Sequence, residues 1–328
     1  MTMLIRDIFK ELPTSKNEYW KYTDLNFLNL EMESYSKSTI VSNLGEIKDF
    51  DHSYDINSFN SFITLNNLFD NCSYKTKKHS YFTLTNFNGL ITKRINFITP
   101  INQKHELTIN LQSVSDNKSL MLFLKMNFIV YGELNLTIIS NMKNDYSFDD
   151  INVMLMDNAN VNLSYISNTT LNKKIFINSQ QHKKSRFDFK FRSLVTNNDN
   201  IDLTLSSNII EENCFLNHDI KCVLNKKSTF SCLGEINILP LANNAEAYHY
   251  NSTLALAEDI RVNSRPVLKI SNGNVKCSHG SPSSYIKDED RFYMNSRGIS
   301  KKDADKMYVT SFLNIKNELI QNLIESEV

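Results

Sequence analysis

The sequence predicts a mainly β protein, and three observations carry that prediction. Roughly two hundred residues beyond position 91 read as one short strand after another. The turns between them are written in asparagine, aspartate, serine and lysine, with only 7 glycines in 328 residues. Helical spacing is confined to the two ends. A chain of this length holds a substantial core, in one elongated domain or in two to three smaller ones.

Residues 1–90 read as a helical N-terminal region. "MLIRDIFKEL" places Leu4, Ile5, Ile8, Phe9 and Leu12 at helical spacing, and Pro13 ends the run. "NSFNSFITLNNLFDN" repeats the spacing with Phe59, Phe62, Ile63, Leu65, Leu68 and Phe69. Between them lies "NEYWKYTDLNFLNL", rich in aromatics and carrying the single tryptophan, Trp20.

Residues 91–285 form the β region. "HELTINLQ", "ELNLTIIS", "NVNLSYIS", "FDFKFRSLV" and "IDLTLSS" show strand-length alternation. Sandwiches and a solenoid both fit such an array. In a solenoid, each turn buries its inward residues on its neighbours, and stacked asparagines bond along the axis. No fixed period is visible. Asparagine tolerates positive φ, so it can take turn positions that glycine otherwise fills; codon bias would enrich it equally.

Residues 286–328 return to helix. Ser300 is an N-cap with Asp303 three residues on, after which Tyr308, Phe312, Ile315, Leu319 and Leu323 recur every three or four residues. This face packs on the chain's own β region or docks a partner.

Lysine plus arginine equals aspartate plus glutamate at 36 each, which argues against nucleic-acid or polybasic membrane binding. No stretch approaches the ~18 apolar residues of a membrane span, and the N-terminus has no signal-like apolar run. Five scattered cysteines without a CxxC pair suit a reducing, cytoplasmic compartment. Nothing matches GxxxxGK[ST], so no nucleotide is expected on this chain.

The chemistry concentrates in "VKCSHGSP". On a strand, Cys277 and His279 point to one face, side by side. Such a pair suits iron or zinc, but it is half a metal site at most. An imidazolium beside Cys277 would lower its thiol pKa, while a nucleophilic dyad lacks an orienting third group. Cys214, Cys222 and Cys232, eight and ten residues apart, read as small buried hydrophobes. His218 and His249 are either further ligands or packing residues, and Cys72 and His79 read as incidental in a polar loop. Gly280 reads as a point of backbone freedom and Pro266 as a strand start.

"PVLKISNGNVKCSHGSPSSYIKDEDRFYMNSRGIS" resembles the C-terminal signature of the SufB/SufD family in its SufD branch, where a Pro-x-Leu-Glu-Ile strand leads into Val-Lys-Cys-Ser-His-Gly. "LPTSKNEYWKYTDL", "NHDIKC" and "LGEINILPLANNAEAYHYNSTLALAE" resemble further elements of it, in order. The SufB-type segment, Glu-His-Glu-Ala followed by Phe-Tyr-Cys, is not what this chain carries. Lys269 replaces the family's glutamate, and "HGSPSS" lacks its second glycine.

The resemblance implies a right-handed parallel β-helix core between helical ends, and a non-enzymatic scaffold for iron-sulfur cluster assembly. It implies a heterodimer with SufB through the β-helices, and a homodimer is conceivable for the chain alone. It implies docking of the SufC ATPase at the C-terminal region, through Phe292, Tyr293, Arg297, Gly298, Tyr308 and Phe312. A transient iron-sulfur cluster or iron would sit at the SufB interface against His279, with Cys277 beside it. Two rivals stay open: a metal enzyme using His218, His249 and His279, and a purely structural paralogue.

Overall fold

The computed structural model describes residues 2–4, 16, 18–23, 31–33, 38–47, 70–86, 89–101, 103–113, 120–142, 146–167 and 172–328. In chain order the strands begin with β1 (Thr2–Leu4), β2 (Glu31–Glu33), β3 (Ser38–Ser42), β4 (Gly45–Glu46), β5 (Asp70–Lys75), β6 (His79–Asn86) and β7 (Gly89–Thr99). The coil continues through β8 (Lys104–Ser113), β9 (Leu120–Val130), β10 (Glu133–Asn141), β11 (Tyr146–Leu155), β12 (Asn160–Ser167), β13 (Asn172–Gln181) and β14 (Arg186–Val195). It ends with β15 (Asn200–Ile209), β16 (Phe215–Leu224), β17 (Thr229–Ile238), β18 (Ala245–Ala255), β19 (Arg261–Ile270), β20 (Val275–Gly280) and β21 (Ser283–Tyr285). Three helices close the chain: α1 (Asp288–Ser296), α2 (Lys301–Leu313) and α3 (Glu318–Glu327).

From β5 onward the chain alternates between two sheets. Odd-numbered strands to β19 build one and even-numbered strands to β20 the other, and each strand pairs in parallel with the strand two places on. This is a β-solenoid, and of the two architectures the alternation allows it is the one formed.

Alternate residues of both sheets point into one shared lumen. Leu107, Leu136, Leu163 and Phe189 stack there on successive rungs of the even sheet, all within 1 % of full burial. Every rung therefore buries its inward row on two neighbours, which is why the pattern repeats without helical interruption. On the outer face of the odd sheet, Asn96, Asn127, Asn152 and Asn178 lie in register and hand amide hydrogen bonds along the axis at 2.8, 3.1 and 3.0 Å. The expected asparagine stacking is present.

Asparagine also does the turn work. Asn158, Asn197, Asn198, Asn213 and Asn244 all adopt left-handed backbone at solenoid corners, joined by Lys184, Lys226 and Lys227. The invisible period has a simple cause. Tyr146 pairs with Asn172 and Thr229 with Arg261, so the later turn consumes more chain than the earlier one. The corners vary in length while the strands stay in register.

Parts of each sheet's outer face are covered. Ile166, Leu194, Val223 and Leu254 of the even sheet pack under Val309, Leu313, Ile320 and Ile324 of α2 and α3. On the odd sheet the Glu18–Trp20 turn buries Trp20 against Phe148 and Phe176, with ring centroids 6.2 and 5.7 Å away. Thr23 donates to Asp202 at 2.6 Å, and Glu18 pairs with Arg265.

Several expectations change. The β region starts at Asp70, not at about residue 91, so Cys72 and His79 lie on β5 and β6 and not in a loop. His79 pairs with Glu106 at 3.0 Å. Leu4 belongs to a short strand; the remaining residues of the first expected helix and nearly all of the second lie outside the described residues. Pro266 falls mid-strand in β19, where the edge position spares the sheet a missing N–H.

Candidate functional site

Cys277 and His279 lie on β20, at the last rung of the even sheet. Register carries both onto the inward row: Cys277 stands beside Ala247 and His279 beside His249. Below them His218 stands beside His249. The three histidines quoted from separate strands are thus one ladder, rising from the buried interior to the open end. His218 and His249 are 0 % and 2 % exposed, while His279 is exposed and Cys277 half-buried.

The lower two rings are held in a defined arrangement. Nε2 of His218 lies 3.1 Å from Ser207 Oγ, which accepts from Ser179 at 2.7 Å. Nδ1 of His218 lies 3.3 Å from Nδ1 of His249, the rings nearly perpendicular at 88°. Both nitrogens of His218 are engaged, so it is no free ligand for a metal. Burial, reinforced by its neighbour, holds the His218 imidazole well below its usual value, and burial with the nearby His279 pushes His249 down to about 4. Both are neutral at physiological pH.

Gly234, on the inward row of β17, makes room for this ladder. A Cβ there would lie 2.2 Å from Cε1 of His249, closer than atoms can approach. Gly280 has a similar reason, since a Cβ would meet the Tyr250 ring at 2.8 Å. Steric room, and not backbone freedom, explains that glycine. Across the open end, Ser281 donates to Ser264 at 2.5 Å and Asn251 donates to Ser264 at 2.9 Å.

The expected thiolate is not favoured. Burial raises the Cys277 thiol, and only a backbone hydrogen bond from Ala247 opposes it. A metal bound there must displace a proton. Cys214, Cys222 and Cys232 are buried with thiols raised by desolvation, as packing residues should be. Lys269, the charge reversal before the motif, pairs with Glu235 at 3.0 Å on the outer face, away from the ladder.

The C-terminal residues divide. Phe292 and Tyr293 of α1 are 75 % and 58 % exposed. Arg297 lies 5.4 Å from the Tyr293 ring, and Gly298 ends the helix in left-handed backbone. Tyr308 and Phe312 instead turn toward the sheet, where Lys221 donates to the Phe312 carbonyl at 2.8 Å.

Two clusters escaped the sequence because their members are far apart in it. Lys173, Asp149, Tyr165 and Ser140 form a closed, fully buried network in the lumen, with Lys173 3.4 Å from Asp149 and Tyr165 donating to that carboxylate. Its groups satisfy one another, which is a structural role. Asp157, His182 and Glu211 meet at three successive corners with ligand atoms within 4.8 Å of one another; among the described residues no other set meets that distance. Cys277, His279 and His249 therefore have not converged.

The family model described as "SUF system FeS cluster assembly, SufBD core domain" matches residues 85–312, well over half of the chain. An iron-sulfur cluster assembly SufBD family protein of Synechocystis is 32% identical over 92 residues, covering 28% of this chain and 20% of that protein. The iron-sulfur cluster assembly protein SufD of Escherichia coli is 34% identical over 92 residues, covering 28% of this chain and 22% of SufD. Protein ABCI7, chloroplastic, of Arabidopsis thaliana is 28% identical over 109 residues, covering 33% and 22%. The matched segments span about a fifth of these relatives' lengths.

Proposed function

Because the chain belongs to the SufBD core family of the SUF iron-sulfur cluster assembly system, we propose that it is a non-catalytic scaffold subunit. It pairs with SufB at the open end of its solenoid, docks the SufC ATPase on its C-terminal helices, and offers His279, with Cys277 beside it, to a nascent cluster or iron. The observation that carries this reading is the placement of His279. It is the one exposed member of the histidine ladder, on the last rung, where β19 and β20 present edges left unpaired among the described residues.

An edge strand is a template for strand addition by another chain. A ligand pair at that edge is completed most simply by donors from the chain that adds there, since two donors leave a four-ligand site half empty. The cluster is cargo in this scheme, and this chain contributes an imidazole nitrogen and a thiol that ionises on metal binding. ATP hydrolysis by SufC would supply the energy to open the interface.

Co-expression with SufB and SufC tests the reading. His279→Ala should lower the iron-sulfur chromophore recovered with the complex at least tenfold while all three chains still co-purify. Equal chromophore in both complexes would remove the ligand role.

A further inference from the structure

His249 is not explained by packing. Its Nδ1 faces His218 at 3.3 Å, and its Nε2 is buried with no hydrogen-bond partner among the described residues. Leaving such an atom unpaired is costly, and an apolar side chain of similar size would avoid the cost. A buried orphan group of this kind calls for an explanation, such as a water or an ion that completes it.

The remaining observations say what completes it. His279 stands one rung above, roughly 4.8 Å along the axis by the spacing of paired strands. Two neutral imidazole nitrogens facing each other within hydrogen-bond reach share one proton. If Nδ1 of His249 donates to Nδ1 of His218, Nε2 keeps its lone pair, the form in which histidine binds metals. The His218 contact is then the kind of outer hydrogen bond that orients a ligating imidazole. Gly234 supplies the clearance that lets the ring stand there.

We propose that His249 is an inner ligand of the cargo site, its Nε2 joining His279 and Cys277 to hold one borderline-soft divalent metal ion, such as ferrous iron, at the open end of the lumen. This rests on the reading of His279 as a ligand. His249 is fixed, so convergence comes from rotamer changes of the exposed His279 and the half-buried Cys277 on the rung above. A Cys-His-His set matches the donor preference of such ions and leaves one position for the partner chain.

The test is an anaerobic cobalt(II) titration of the isolated full chain, read by absorbance, on wild type, His249→Leu and His279→Ala. Wild type should take up one equivalent with tetrahedral ligand-field bands. His249→Leu should bind at least tenfold more weakly with little change in its urea midpoint, because leucine removes the orphan Nε2 but leaves the buried Nδ1 of His218 without its partner. Should that midpoint fall, X-ray absorption of the wild-type cobalt complex decides: two imidazole shells are expected, and fewer would overturn the proposal. Undiminished binding by His249→Leu also overturns it. If only His279→Ala weakens binding, the inner ligand is wrong and the outer site stands; if neither variant weakens it, both fail. A wild-type chain that takes up no cobalt refutes the preformed inner site and leaves the co-expression experiment to judge His279.

Discussion

His249 meets constraints from below, from across the lumen and from above, and each has a chemical consequence. His218 fixes its Nδ1, Gly234 yields it space, and with His279 one rung above the ring stays buried. Its ordinary pKa of 6.5 falls to about 4, and His218 falls well below its own. Unfolded, both rings take up a proton near pH 6.5; folded, neither does until far lower pH. The native state therefore binds fewer protons, and the stability from this burial is complete above about pH 6.5 and lost as pH falls toward 4. Each ring contributes a slope of up to ~1.4 kcal/mol per pH unit. Urea unfolding at pH 7.5 and 5.5 should show the decline, and His249→Leu should flatten part of it. An unchanged slope in that variant would mean that His249 titrates normally in the folded chain.

At the level of elements, the C-terminal helices pack one face on the sheet and, in the proposed function, have a second duty at their exposed face. α2 begins on Ser300, whose hydroxyl accepts from the Asp303 N–H at 3.1 Å. It ends against the sheet, where Arg192 donates to the Leu313 carbonyl at 2.7 Å and Lys221 to that of Phe312. Cations at the carbonyl end of a helix stabilise it. Truncation after Arg297 would strip apolar cover from Ile166, Leu194, Val223 and Leu254, so point changes separate the duties better. Leu313→Ala should destabilise by ~2–5 kcal/mol in urea unfolding. Phe292→Ala should stay within ~0.5 kcal/mol of wild type yet reduce SufC retention in a pull-down; full retention would move the docking surface elsewhere. The N-cap of α2 was legible because its signal is local, Ser300 with Asp303 three residues on. The partition of Phe312 from Phe292 was not, because helical spacing cannot say which sheet a face will meet. Likewise Cys277-x-His279 announced a shared face, but the ladder below it depends on pairing His279 with His249 and His249 with His218. Those two steps along the chain are unequal, so no fixed period reveals them.

The whole molecule is a stack in which each rung touches mainly its two neighbours. Stability in such a stack is close to a sum of rung and nearest-neighbour contributions. Asn152 sits mid-ladder, donating to Asn127 and accepting from Asn178. Asn152→Ala should cost ~1–3 kcal/mol, and hydrogen exchange should quicken in β9, β11 and β13 while β17 and β18 keep their protection. Quickening spread evenly through every rung would contradict the one-dimensional picture. Strand alternation announced this architecture only as one of two. The parallel register that decides between solenoid and sandwich is a long-range property, enforced by in-register rows such as Leu107, Leu136, Leu163 and Phe189.

The unequal corners bear on how such a chain can lengthen. A corner that takes up extra chain from one turn to another without disturbing strand register acts as a slack bight in a coiled rope: the surplus hangs outside while the coil keeps its pitch. Insertions at Lys183–Lys184 or Asn197–Asn198, where the backbone already turns left-handed, would leave the height of every rung unchanged. Those corners are natural attachment points for a dye or an affinity handle placed along the side of the rod, far from the open edge that carries His279.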